Sequence, residues 1–315
     1  MIPASRIAST GEAERWLRLV LLALAFALSV ALGACSAAGD DGEATRRGGS
    51  GPGPLFYEIA REDGTVRGWL FGTIHALPAG TRWRTPVIDR ATAEADSLVV
   101  EVATLGDAAA AARLFRDLGT TPGLPPLADR VPPEQRAALA ALADRAGMNL
   151  ARQQRTESWA AAMMLARVSA EGSPEHGVER ALLRDFAGRP VRELEGAAGQ
   201  LGIFDRLPEE AQRALLAAVV AASDPAQSAA ARLREAWLEG DAAALEAATQ
   251  EGMMADPRLR AALLTERNRA WLGPIEASLH SPGRPLIAVG AAHVVGPEGL
   301  VALLTERGWR VTRRP

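Results

Sequence analysis

Four histidines occur in the 315-residue chain, and two of them stand in the same local setting. Gly72-Thr73-Ile74-His75 and Gly290-Ala291-Ala292-His293 are both Gly-x-x-His, with their histidines 218 positions apart. An apolar run precedes each: Gly68-Trp69-Leu70-Phe71 and Leu286-Ile287-Ala288-Val289. Imidazole titrates near neutrality and binds borderline metal ions, so it suits proton transfer and metal ligation alike. A strand running into Gly-x-x-His sets the ring just past the strand's carboxyl end. Glycine lets the backbone turn or approach closely there, and α/β sheets collect their ligands at those ends. Repetition in matching context predicts one site assembled from both ends of the chain.

Glu101 supplies a third candidate. It lies near the end of Ser97-Leu98-Val99-Val100-Glu101-Val102, the most hydrophobic strand-like run in the body. An ionised carboxylate in such a run is costly unless it is paired or binds a metal. If the strands of His75, Glu101 and His293 are neighbours, they form a set of two histidines and one carboxylate. Such a set holds a divalent ion with positions left open for water and substrate. The ion lowers the pKa of bound water and polarises a carbonyl, which is metal-assisted hydrolysis. No His-Glu-x-x-His and no paired cysteines are present, so the set must assemble in space. The plain alternatives are structural histidines closing two strand ends, and a Glu101 paired with a buried arginine.

The elements that must position these residues read as a helix-rich α/β (α+β) fold. Leu55–Ile59 and Val66–Phe71 flank the turn signal Glu62-Asp63-Gly64-Thr65, a hairpin pattern. A helix over Pro86–Ala95 feeds the strand Ser97–Val102, which lacks alternation and should be buried on both faces. From Gly106 to Met254 the spacing is mostly helical, as in Glu134–Ala146 and Glu209–Ala222, interrupted by a strand at Arg189–Leu194. A helix over Pro257–Leu279, the strand Leu286–Val289, a helix over Pro297–Arg307 and the strand Trp309–Thr312 close the chain. The sheet is therefore a central mixed one built from both ends, with a long helical segment between. Trp69, Trp83 and Trp159 read as core, and His176 and His280 as exposed loop residues.

The first 34 residues differ from the rest. Arg15 and Arg18 precede a charge-free run of 14 residues, Leu19 to Leu32, short of the about 20 needed to cross a membrane. The pattern is that of a secretory signal peptide. It ends in Leu32-Gly33-Ala34-Cys35, which resembles a bacterial lipobox, and Cys35 is the sole cysteine. The expectation is a signal peptide at 1–34, an acylated Cys35, a flexible tether over 35–54 and one domain over 55–315. Acyl chains contribute about 0.8 kcal/mol per buried CH₂, so a multiply acylated end holds a membrane stably. That places the protein in the bacterial envelope facing the periplasm, with Ser36 after the cysteine favouring the outer membrane. All 35 basic residues are arginine, interleaved with 38 acidic ones for a net charge of −3. No basic stripe emerges, so nucleic acid is not an expected partner.

Several segments together carry a family resemblance: Leu70–His75, Ser97–Glu101, Glu266-Arg267-Asn268, and Ala288–Leu300. The last continues into Leu303-Leu304 and Gly308. Over about Leu55 to Thr312 the chain resembles the TraB/GumN family, related to the TIKI-type metal-dependent proteases. The resemblance implies a metal-dependent hydrolase cleaving peptide bonds, with His75, Glu101 and His293 as the metal and catalytic residues. Arg267 joins them as a catalytic candidate, beside Asn268. Manganese or cobalt is the implied ion, and the donor set also suits zinc. A peptide or protein is the implied substrate. Arg267 has two readings, a clamp for an anionic group or oxyanion and the partner of a structural acid. Asn268 reads as a local hydrogen-bonding residue. Where relatives carry Leu-Glu-Thr followed by further acids, this chain has Leu194-Glu195-Gly196-Ala197-Ala198-Gly199-Gln200, keeping only Glu195 and Gln200. Two other functions fit the same architecture: a non-catalytic lipoprotein binding haem or another ligand, and an accessory role in exopolysaccharide production.

Overall fold

The computed structural model describes residues 53–103, 108–169, 172–223 and 229–315. The expected signal segment, Cys35 and the expected tether up to residue 52 lie outside the described residues. Among the described residues no helix is long and apolar enough to cross a membrane.

A six-stranded sheet organises the body, in the order β4-β3-β5-β2-β1-β6. Strands β1 (Phe56–Ala60) and β2 (Val66–Thr73) form the expected hairpin, and Asp63 accepts from the Thr65 N–H inside its turn at 2.8 Å. Helix α1 (Pro86–Glu94) starts on the Thr85 cap, and β3 (Ser97–Val100) follows. The middle is helical: α2 (Ala108–Leu118), α3 (Arg136–Ala146), α4 (Ser158–Ser169) and α5 (Val178–Asp185), then β4 (Val191–Glu193). After it come α6 (Gly196–Asp205), α7 (Glu209–Ala221), α8 (Ala229–Glu239), α9 (Ala242–Ala248) and α10 (Pro257–Arg260). A π-helical turn, Ala261–Thr265, joins α10 to α11 (Glu266–His280). The chain ends with β5 (Pro285–Gly290), α12 (Leu300–Glu306) and β6 (Arg310–Arg313).

Four neighbouring strands, β4, β3, β5 and β2, run parallel, while β1 and β6 are antiparallel at one edge. Every residue of β5 is buried, as a parallel strand covered on both faces requires. Apolar residues of the sheet pack with Ile88, Leu182, Trp237, Trp271 and Leu304 in one core. A second core, around Trp159, Phe204 and Leu215, holds the middle helices together. Trp69, Trp83 and Trp159 are all buried, as expected.

Three boundaries differ from the sequence pattern for local reasons. Strand β3 stops at Val100 because the Glu101 carbonyl accepts from the Glu195 and Gly196 N–H groups, at 3.2 Å each, in a turn rather than a ladder. Strand β4 starts at Val191, one residue after Pro190, whose carbonyl still accepts from the Leu98 N–H. Helix α12 starts at Leu300 instead of Pro297, because the Glu298 carbonyl is held outward by the Asn268 amide at 2.8 Å. His280 is the last residue of α11 rather than a loop residue, and it is exposed, as is His176.

Candidate functional site

Strand register decides which side chains meet. In the parallel pair of β2 and β5, Thr73 lies opposite Gly290, so the two Gly-x-x-His strings leave the sheet side by side. Val100 of β3 lies opposite Ala288 of β5, which brings Glu101 level with the end of β5. Val100 also lies opposite Glu193 of β4, two residues before Glu195. The carboxyl ends of four adjacent parallel strands therefore deliver Glu195, Glu101, His293 and His75. This is where an open α/β sheet binds its ligands.

Close backbone approach lets the loops crowd there. A Cβ on Gly72 would lie 2.9 Å from the Val294 side chain, just past His293. A Cβ on Gly177 would lie 1.9 Å from the His75 carbonyl oxygen, so only glycine admits the start of α5 against the first histidine loop. The Ile74 carbonyl accepts from the Val178 N–H at 3.0 Å, and the Gly72 carbonyl accepts from the Trp237 indole at 2.7 Å. The His75 loop is thus pinned to two helices.

Arg267, in the first turn of α11, is the hub. Its Nη2 donates to Glu101 Oε2 at 2.6 Å and to Glu195 Oε1 at 2.5 Å, and its Nε donates to Glu195 Oε2 at 3.2 Å. Its Nη1 donates to the Leu263 carbonyl at 3.0 Å and faces His293 Nε2 at 3.1 Å. Those contacts occupy the fork of five N–H groups. Arg267 is 5% exposed, so of its two sequence readings the geometry shows pairing with acids. The Leu263 carbonyl belongs to the π-helical turn, a local widening that recurs at functional sites.

Glu101 is held on both oxygens. Oε1 accepts from the Gly290 N–H at 2.8 Å, and Oε2 accepts from Arg267 and from the Gln200 amide at 3.2 Å. Glu195 and Gln200, the two residues that survive in the divergent loop, are the two that reach the site. Burial pushes the Glu101 carboxyl up, but the charges of Arg267, His293 and His75 outweigh it and hold the group down at about 2. Burial dominates for Glu195 and raises it, against Arg267.

The two histidines are not equivalent. His293 is fully buried; its Nδ1 pairs with Asn268 Oδ1 at 2.6 Å, and its ring packs on Trp271 with centroids 4.5 Å apart. With the amide oxygen accepting at Nδ1 and Arg267 donating at the far side, Nε2 carries the lone pair. Burial and the Arg267 charge bring His293 down to about 3. His75 has a side chain 17% exposed, and its Nδ1 meets Glu179 Oε1 at 2.9 Å. Burial pulls it down, but the Glu179 carboxylate, by charge and hydrogen bond, and the Glu101 charge lift it to about 9. Glu179 was invisible to sequence reasoning: it sits in α5, more than a hundred residues from His75, with no local pattern marking it.

The directions of these shifts predict a pH profile of stability in the presence of chelator. The His75 contribution is fully present below 6.5 and is lost as pH rises to about 9. His293 refuses a proton that the unfolded chain accepts, so stability falls as pH drops from 6.5 towards 3. Glu101 adds a further loss between 4.5 and about 2. Urea unfolding with chelator present is expected to show maximal stability near pH 6.5, with limbs of up to about 1.4 kcal/mol per pH unit. A flat profile on both sides of neutrality contradicts this assignment.

The fold and site define a class: an α/β protein with a buried histidine–glutamate–arginine centre at the carboxyl ends of parallel strands. Residues 55–313 match the TraB/PrgY/gumN family, and the chain belongs to it. No curated protein and no solved structure matches the chain.

Donor chemistry at the centre suits a divalent ion: two imidazoles, three carboxylates and an amide. Glu179 Oε2 and Gln200 Oε1 are buried acceptors without a donor, which is how a place for an ion or water shows itself. As the side chains stand, no three His, Cys, Asp or Glu groups among the described residues are arranged to hold a metal ion. Arg267 lies between Glu101 and His293. Beyond those two contacts, the guanidinium meets Glu195 through two nitrogens.

Proposed function

We propose that this is a metal-dependent hydrolase that cleaves peptide bonds, tethered to the bacterial envelope through a lipid on Cys35. The observation that carries the reading is the convergence of His75, Glu101 and His293 at the ends of three adjacent parallel strands. These three residues are the ones that would hold the ion, Mn, Co or Zn. A bound ion supplies Lewis acidity, lowering the pKa of water and polarising a carbonyl.

The chain's own residues do the rest. The Gly290 N–H and Gln200 fix Glu101 in one orientation, and Asn268 fixes the His293 tautomer so that Nε2 carries the lone pair, which Arg267 Nη1 faces. Arg267 neutralises Glu101 and Glu195, and its two-nitrogen contact with Glu195 would keep it anchored if an ion took Glu101 and His293. His75 is the more exposed of the two histidines. Its Nε2 has no protein partner among the described residues, which leaves it available to the ion or to a proton in transit.

Metal content after equilibrium dialysis against Mn²⁺ or Co²⁺ tests the reading, beside cleavage of a peptide library followed by mass spectrometry. The wild type is expected to retain about one ion and cut peptides; His75→Ala and His293→Ala are expected to lose both, with affinity down at least about 10-fold to 100-fold. Unchanged metal content in both variants contradicts the site. The anchor is tested separately: Cys35→Ser is expected to move the protein from the membrane fraction to the soluble one.

A further inference from the structure

The two Gly-x-x-His strings look alike in sequence, yet their histidines are backed by different chemistry. Behind His293 stands a neutral amide oxygen, Asn268 Oδ1, itself fixed because the Asn268 amide donates to the Glu298 carbonyl. Behind His75 stands a carboxylate. Glu179 Oε1 accepts from His75 Nδ1 and from the Thr73 hydroxyl, while Oε2 is buried with no donor. Thr73 is fully buried and Glu179 is 8% exposed. The charge of Glu179 is therefore spent on the last residue of β2 and on the histidine two places beyond it.

We propose that Glu179 is the positioning residue of His75. It holds Nδ1 as a donor, aims Nε2 at the cluster and makes His75 the more strongly electron-donating imidazole of the pair. Its consequence for metal binding rests on the hydrolase reading; its effect on the His75 ring does not. Three further contacts support the role. Gly177 packs against the His75 carbonyl, the Val178 N–H bonds the Ile74 carbonyl, and the isolated bridge of Leu77 with Ser173 ties the same two segments. Helix α5 is thus docked on the His75 loop at its first turn, the turn that carries Glu179. A carboxylate behind a ligating histidine fixes its tautomer and raises its basicity, and removing such a partner costs about 10-fold to 100-fold in metal affinity or activity.

The test reads the imidazole directly. In chelator-treated protein, the His75 Nδ1 proton is expected as a far-downfield, slowly exchanging resonance in a ¹⁵N-histidine spectrum. Glu179→Gln keeps the shape and an acceptor oxygen but removes the charge, so the resonance is expected to move upfield. Glu179→Ala is expected to abolish it. In parallel, the Mn²⁺ dissociation constant is expected to rise about 10-fold in Glu179→Gln, and more in Glu179→Ala. An unmoved resonance in Glu179→Gln overturns the proposal, and that variant decides the matter even if the alanine variant does not fold. Should the wild type bind no Mn²⁺, the hydrolase reading fails while the spectrum still decides the role of Glu179.

Discussion

Replacing Arg267 with methionine is expected to destabilise the metal-free protein by about 3–5 kcal/mol, the cost of leaving a buried partner charge uncompensated. Methionine fills much of the same volume, so the loss reports the charge and hydrogen bonds rather than a void. Glu101 loses its principal cation, Glu195 loses a two-point contact, and the Leu263 carbonyl and His293 Nε2 lose donors. For a domain of this size the melting temperature should fall by roughly 10 °C. Lysine is not a rescue, because one ammonium cannot span two carboxylates, a carbonyl and an imidazole. Combining Arg267→Met with Glu101→Gln and Glu195→Gln is expected to recover most of the loss, since the stranded charges are gone. If the proposed ion takes Glu101 and His293, Mn²⁺ is expected to raise the melting temperature of Arg267→Met more than that of the wild type, because the guanidinium now occupies both ligands. An Arg267→Met protein as stable as wild type in chelator contradicts the hub described here.

The second large effect is functional. Asparagine carries an amide where histidine carries Nδ1, but has nothing at the place of Nε2. His75→Asn is therefore expected to keep a hydrogen bond to Glu179 and most of the fold's stability at pH 8, where His75 contributes less. On the proposed hydrolase reading, peptide cleavage is expected to drop by at least about 10-fold to 100-fold, because the ion loses one of its three protein ligands. The alkaline limb of the stability profile should vanish in the same variant, since the group that produces it is gone. Kinetics and urea unfolding on one preparation check both halves. Activity above about a tenth of wild type means that Nε2 of His75 takes no part in the reaction.

The parts of this site that the sequence reveals are those written in local pattern. Each Gly-x-x-His announces itself because an apolar strand precedes it, and Glu101 because a lone acid ends a run of valines. Strand order then follows from physics that the sequence only implies: β5 is apolar throughout, so it belongs in the centre, between the strands that end in His75 and Glu101. What stays hidden is what depends on approach between distant segments. Glu179 reaches His75 because Gly177 lets α5 press on the loop, and nothing around position 179 says so. The five donors of Arg267 could be assigned only once Glu101, Glu195 and His293, from three other segments, surrounded it beside the Leu263 carbonyl. The divergent loop misleads in the other direction. It lacks the further acids that relatives carry, yet the Glu195 and Gln200 that it keeps touch Arg267 and Glu101. Boundaries shift where a carbonyl finds a better partner than the next ladder rung, as at Glu101 and Glu298.

The most direct measurement is anomalous diffraction from a crystal of the protein loaded with cobalt. One peak is expected at about 2.0–2.3 Å from His75, Glu101 and His293, with the Arg267 guanidinium withdrawn onto Glu195. A loaded crystal with no peak among these residues, and Arg267 still bonded to Glu101 and His293, would contradict the metal-dependent site.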